Sequence, residues 1–254
     1  MLLLVSGEGQ TDIGAWADGS GQCAGADFRP GPMAVIIDRL VEQVAGYSLL
    51  DSAAMEFISE CTLKVRSKRL PVVLSAGKRR DYETALFFKN ARALAQLAKA
   101  KVSPTAPVGA ILFRDADGTR STERGLFEQK WKSIEDGFRA EGFGLGVPMV
   151  PKPKSEAWLL CALKSQPYQH CAGLEDSLSG NDRAPSPAKA QLASVLSARG
   201  KTVGDLVAML GDGSIAPNRI DMPSFNRFRD RPETVARSML RRPSPTPGAN
   251  LDAQ

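Results

Sequence analysis

The residues of this chain best suited to chemistry are carboxylates at the abrupt ends of apolar runs. In "ILFRDADGTR" (111–120) such a run stops at Asp115 and Asp117, and Gly118 follows at once. Residues two apart on an extended chain project to the same side, so the pair can face one point while the glycine lets the chain turn away. Two like charges in one cleft repel unless a proton or a cation sits between them. Magnesium, or manganese in its place, suits such a pair because a hard ion prefers carboxylate and water oxygen. Alone, the motif also fits a solvated Asp-rich turn. Further acids weigh against that. Glu8 follows "LLLVSG" (2–7) between Gly7 and Gly9, with Asp12 shortly after. Glu156 follows "GVPMV" (146–150) within "PKPKSEAWLL", beside Lys152 and Lys154. A glutamate in a first helical turn is often only a dipole partner. Acids at three separate strand ends are a less ordinary coincidence than any one of them.

Such acids need a scaffold that brings distant segments to one line. The runs 2–7, 71–77, 108–115 and 146–150 read as buried strands. Helical spacing is predicted over 33–46, over 81–101 with Asp81 as N-cap, over about 121–141 with Ser121 or Thr122 capping, and from Ser155 within 154–163. This alternation predicts an α/β fold with a mostly parallel four-stranded sheet and helices on both faces, whose sites lie at the carboxyl ends of the strands. Residues 14–32, rich in glycine and proline, read as a long loop. Beyond 165 a polar stretch, 179–189, precedes helices expected at 187–198, 202–210 and 223–240. The expected organisation is a core over 1–165, a C-terminal helical appendage over 166–242 and a disordered tail over 243–254.

The 254 residues carry a net charge of +5, which permits a polyanionic partner without requiring one. Segments 64–70 and 77–82, and Arg227, Arg229, Arg231, Arg237, Arg241 and Arg242, could meet phosphates or simply face solvent. Four cysteines without CxxC spacing and a lone His170 argue against a zinc site and against a disulfide framework. Reduced thiols in a cytoplasmic protein are expected. The N-terminal apolar run is too short for a signal peptide, and no window approaches a membrane span.

Glu8 after the first strand, with Asp115 and Asp117 after a later strand of an alternating parallel unit, resembles the TOPRIM domain of topoisomerases, primases and OLD-family nucleases. "GEGQTDIG", "RDADG", "SEAWLL", "SGNDRAPSPAK" and "SFNRFRDR" are most similar to small stand-alone TOPRIM-like, OLD-nuclease-related proteins of bacterial anti-phage defence operons. These are often encoded beside an ABC-type ATPase. The resemblance implies a TOPRIM-like, Rossmann-like core over 1–165. It implies that Glu8 serves proton transfer or metal binding, that Asp115 and Asp117 form the metal-binding pair, that Glu156 adds a further acid, and that Asp12 supports a second metal. Magnesium- or manganese-dependent hydrolysis of DNA or RNA phosphodiesters follows, with Lys154 offsetting phosphate charge and an ATPase as working partner. No covalent nucleophile is implied, and homo-oligomerisation is left open. Two other readings compete. The same fold could be a non-catalytic subunit that binds a partner. Alternatively, "DADGT" fits the signature of haloacid-dehalogenase-like phosphatases, with Asp115 as nucleophile, Asp117 as general acid and "LGDGSIAPNRID" (210–221) as a late metal motif. That nucleophile usually lies on a domain's first strand, and Glu8 and Glu156 would then have no role.

Overall fold

Leu2–Gly7 forms the first strand, β1, because its apolar side chains can be buried on both faces; Leu4 and Val5 are fully enclosed. The computed structural model describes residues 1–9, 11–16, 21–71, 82–103, 106–116 and 125–241. Three short strands follow, β2 (Gly14–Trp16), β3 (Gln22–Ala24) and β4 (Phe28–Pro30), then helix α1 (Pro32–Ala45). Next come β5 (Met55–Ser59), α2 (Glu60–Ser67), α3 (Tyr82–Lys101), β6 (Val108–Phe113), α4 (Gly125–Ala140), β7 (Gly146–Met149) and α5 (Ser155–Leu163). The C-terminal third adds α6 (Leu174–Ser177), α7 (Ala188–Ala198), α8 (Leu206–Gly211) and α9 (Pro223–Leu240).

The main sheet is five-stranded, in the order β3-β5-β1-β6-β7, and an antiparallel β2–β4 pair stands apart. Strands β5, β1, β6 and β7 are parallel, and β3 runs antiparallel along β5. The α/β class expected from the sequence is thus present, with one strand more than expected. That strand comes from the glycine-rich stretch read as a loop, where β2, β3 and β4 are each only three residues long. The strand Met55–Ser59, which pairs with β1, was not expected from the sequence, and nearly all of the expected 71–77 run lies outside the described residues. Its signal was hidden by Glu56, a charge in mid-strand that is buried through contacts with Gln22 and with Lys101, the latter at 3.0 Å. The expected caps Asp81, Ser121 and Thr122 and the tail 243–254 also lie outside the described residues.

Register places the carboxyl ends of the strands level with one another. Gly7 of β1 faces Ser59 of β5 and Phe113 of β6, and Phe113 faces Met149 of β7. Gly7 is required there, since a Cβ would lie 2.7 Å from the Phe113 ring. All six residues of β6 are buried, so both faces of the sheet are covered at its centre. Burying each large apolar side chain there contributes roughly 1.5–3 kcal/mol.

The C-terminal helices pack onto this core. Helix α9 lies against α1, β6 and β7, with Val235 and Met239 close to Gly109 of β6. Its Phe225 and Phe228 pack on Trp158 of α5, with ring centroids 4.9 and 5.7 Å away. The Trp158 indole N–H donates to Ser224 Oγ at 2.8 Å. The reduced-thiol expectation fails for one pair: Cys161 and Cys171 are joined by a disulfide. The ten-residue separation matched no familiar spacing, but the chain leaving α5 folds back and brings their Cα atoms to 5.3 Å. Neither the buried Cys23 nor the exposed Cys61 is in a disulfide. Among the described residues no helix is long and apolar enough to cross a membrane.

Candidate functional site

Ser155 joins the acids that the sequence singled out. It opens α5, where the first N–H groups of a helix have no intrahelical acceptor. Its N–H donates to Asp115 Oδ1 at 3.0 Å, so a carboxylate from the tip of β6 closes the start of α5. Its hydroxyl donates to Asp12 Oδ1 at 2.6 Å and lies 3.4 Å from Glu156 Oε2. Segments after β1, β6 and β7 therefore meet at one serine on the carboxyl edge of the sheet.

The turn carrying Asp12 is held by its backbone. Asp12 N–H donates to Gly9 O at 3.2 Å, and Asp12 O accepts the Met33 N–H at 2.9 Å at the start of α1. Gly9 has φ of +79°, and a Cβ there would come within 2.5 Å of Asp12 Oδ2, so this tight turn needs glycine.

Asp12, Asp115 and Glu156 line one cleft of about 180 Å³, with Lys154 and Lys189 also in its wall. Burial raises Asp115 well above the ordinary aspartate range, and the neighbouring charges of Asp12, Glu156 and Glu8 push it further; the Ser155 N–H only partly offsets this. Burial also raises Asp12, against the hydrogen bonds from Ser155 and Thr11 and the charges of Lys154 and Lys189. Glu156 is raised by burial and by Asp12, with the same two lysines opposing.

Glu8 sits in an adjoining hollow of about 120 Å³, bordered by Glu60 and Cys61 from the start of α2. Strands β1 and β6 are neighbours, so Glu8 reaches the same edge as Asp115. Arg114 is fully buried, with its guanidinium 3.2 Å from Glu60 and donating to Phe113 O at 3.0 Å. Burial lowers its pKa while Glu60, Glu8 and Asp115 hold the charge in place. Asp117 lies outside the described residues. Lys154 borders the cleft and makes a 3.4 Å pair with Asp182; Lys152 pairs instead with Asp176 at 3.0 Å.

Several sequence candidates are engaged elsewhere. Arg227 pairs with Glu128 at 2.7 Å and stacks over Trp131, and Arg231 pairs with Glu135 at 2.6 Å, so both fasten α9 to α4. Asp212, from the late motif of the phosphatase reading, occupies an exposed turn after α8, accepts the Ser214 N–H at 2.8 Å and does not line the cleft. Ser155, Lys189, Arg114 and Glu60 are site residues that the sequence reading did not single out.

The donor set was tested against a divalent ion. Three carboxylates and a hydroxyl are hard oxygen donors, and the crowding that raises Asp115 is what a bound cation would relieve. Their chemistry fits magnesium or manganese. Among the described residues no group of three or more acidic, histidine or cysteine side chains is placed to hold a metal ion. No protein-family model, curated protein or solved structure matches this chain.

Proposed function

We propose that the chain is a magnesium- or manganese-dependent nuclease of TOPRIM-like type that hydrolyses phosphodiester bonds in DNA or RNA. The observation that carries this reading is the meeting of Asp12, Asp115 and Glu156, from three separate segments, around Ser155 at the carboxyl edge of a parallel sheet. Asp12, Asp115 and Glu156 would hold the ion, with Asp117 as a further ligand. Once bound, the ion would stabilise charge on the phosphate and acidify a water. Glu8, at the tip of the neighbouring strand, accepts the proton of the attacking water. Lys154 offsets the charge that builds on the phosphate oxygens. An ABC-type ATPase partner and a role in anti-phage defence belong to the same proposal, on the strength of the resemblance.

The test is incubation with plasmid, single-stranded DNA and tRNA, in magnesium or manganese against EDTA, with and without the ATPase. The expected result is metal-dependent cleavage that falls by more than about a hundredfold in Asp115→Ala and Glu8→Ala, with the circular dichroism spectrum retained. Equal cleavage by wild type and both variants rejects the assignment. One observation favours a second reading, a non-catalytic partner-binding subunit: Ser155 already satisfies Asp115 and Asp12 with protein hydrogen bonds. Failure of all three substrates with the ATPase present would favour it.

A further inference from the structure

The acids make only part of the cleft's lining. Much of the rest comes from the C-terminal third of the chain. Lys189 comes from the first turn of α7, Leu192 lies one turn further along it, and Val203 and Leu206 come from the turn and helix that follow. Leu159 of α5 joins them. Leu159, Leu192 and Leu206 are almost fully buried and back the cleft, and Val203, 44% exposed, presents most of the apolar surface open to it. Lys189 is exposed, and its charge acts on both Asp12 and Glu156. A cation in a first helical turn opposes the helix dipole, so its placement there is not explained by α7 itself. Lys154 lines the same cleft and also acts on Asp12 and Glu156, with Asp182 3.4 Å from its ammonium group.

We infer that this cleft takes one unstacked nucleotide of a single strand, with its phosphate between Lys154 and Lys189 and its sugar and base against Leu159, Leu192, Val203 and Leu206. The inference rests on the nuclease reading and names the form of substrate. Two ammonium groups beside the acids match a phosphate flanking the scissile bond. An aliphatic wall packs against the face of any base and reads no base edge, so recognition is tolerant of sequence. An apolar wall can meet the face of a base only when that base is unpaired and unstacked, which a single strand offers and a duplex does not. The helical segment after residue 165 thereby supplies the substrate-recognising wall of a site whose acids come from the sheet.

The test separates binding from cleavage. Fluorescence anisotropy in EDTA measures affinity for a short labelled single-stranded DNA, its RNA counterpart and the corresponding duplex, from about 50 to 200 mM salt. The variants are Lys189→Ala and Val203→Asp, both at exposed positions where folding is not at stake. Wild type is expected to bind either single strand more tightly than duplex. Lys189→Ala should weaken binding by about fivefold and make the salt slope shallower by about 0.7. Val203→Asp should weaken it by replacing the apolar contact to sugar and base with a hydrated charge. Duplex preference, no binding by wild type, or unchanged affinity in both variants overturns the inference. Binding that behaves as expected, without cleavage when metal and the ATPase are added, upholds this site and removes the nuclease reading. Cleavage with unaltered variant affinities does the reverse.

Discussion

Glu141, where α4 turns toward β7, and Asp115, at the tip of β6, are both carboxylates held largely out of water, yet their surroundings act in opposite directions. Glu141 is met by Arg92 Nε at 2.6 Å and by Gln96 at 3.0 Å, and its backbone carbonyl accepts from Lys99 at 2.8 Å. Burial pushes its pKa up, but these hydrogen bonds and the charges of Arg92 and Lys99 outweigh it and hold the group below the ordinary glutamate range. Asp115 receives the Ser155 N–H and interacts with the buried charge of Arg114, but burial and the charges of Asp12, Glu156 and Glu8 outweigh them. One acid is arranged to hold the fold together. The other is arranged at a cost in stability, which is the usual mark of a site kept for binding or chemistry.

The largest expected effect lies on the structural side. Arg92→Met leaves Glu141 without its guanidinium and removes a 2.8 Å bond to Pro71 O. A loss of about 3–5 kcal/mol in urea unfolding is expected, because breaking one half of a buried pair strands the other. A loss comparable to that of a surface ion pair would erase the contrast.

Asp115→Asn should act the other way in metal-free protein. A carboxyl whose native pKa is raised binds its proton more tightly folded than unfolded. Its presence therefore costs stability at neutral pH, and that cost disappears as pH falls toward the unfolded value near 4. The variant is expected to melt about 2–4 °C above wild type at neutral pH. Its advantage should shrink as the pH is lowered, in a thermal series run in EDTA. Destabilisation at neutral pH would contradict the electrostatic account of the cleft. Glu141 has the opposite sign, and its contribution is lost as pH falls through the carboxylate range.

A smaller effect is expected for Ser155→Ala. It removes the 2.6 Å hydrogen bond to Asp12 and should cost about 0.5–1.5 kcal/mol. Because that bond holds Asp12 down against burial, the Asp12 titration should move further up, as read by carbon-detected NMR. An unmoved Asp12 would show that Ser155 does not link the acids electrostatically.

Much of this site was legible because each acid follows an apolar run. Asp115, Asp12 and Glu156 could be placed at one edge from pattern alone, and Lys154 with them. Strand β5 was not legible, because Glu56 interrupts the apolar pattern and is buried only through partners far away in sequence. The α9 arginines looked free for phosphate because Glu128 and Glu135, which receive Arg227 and Arg231, lie on a distant helix. Arg114 gave no local hint of full burial beside an aspartate. Lys189 did leave a trace, a lysine in the first turn of a helix, where the dipole disfavours it.

The most direct test of the convergent acids is uptake of manganese followed by electron paramagnetic resonance. Wild type and Arg92→Met are expected to bind the ion alike, while Asp115→Asn and Glu156→Gln lose it. No uptake by wild type, or equal uptake by all four proteins, would contradict the claim that these carboxylates share one cation.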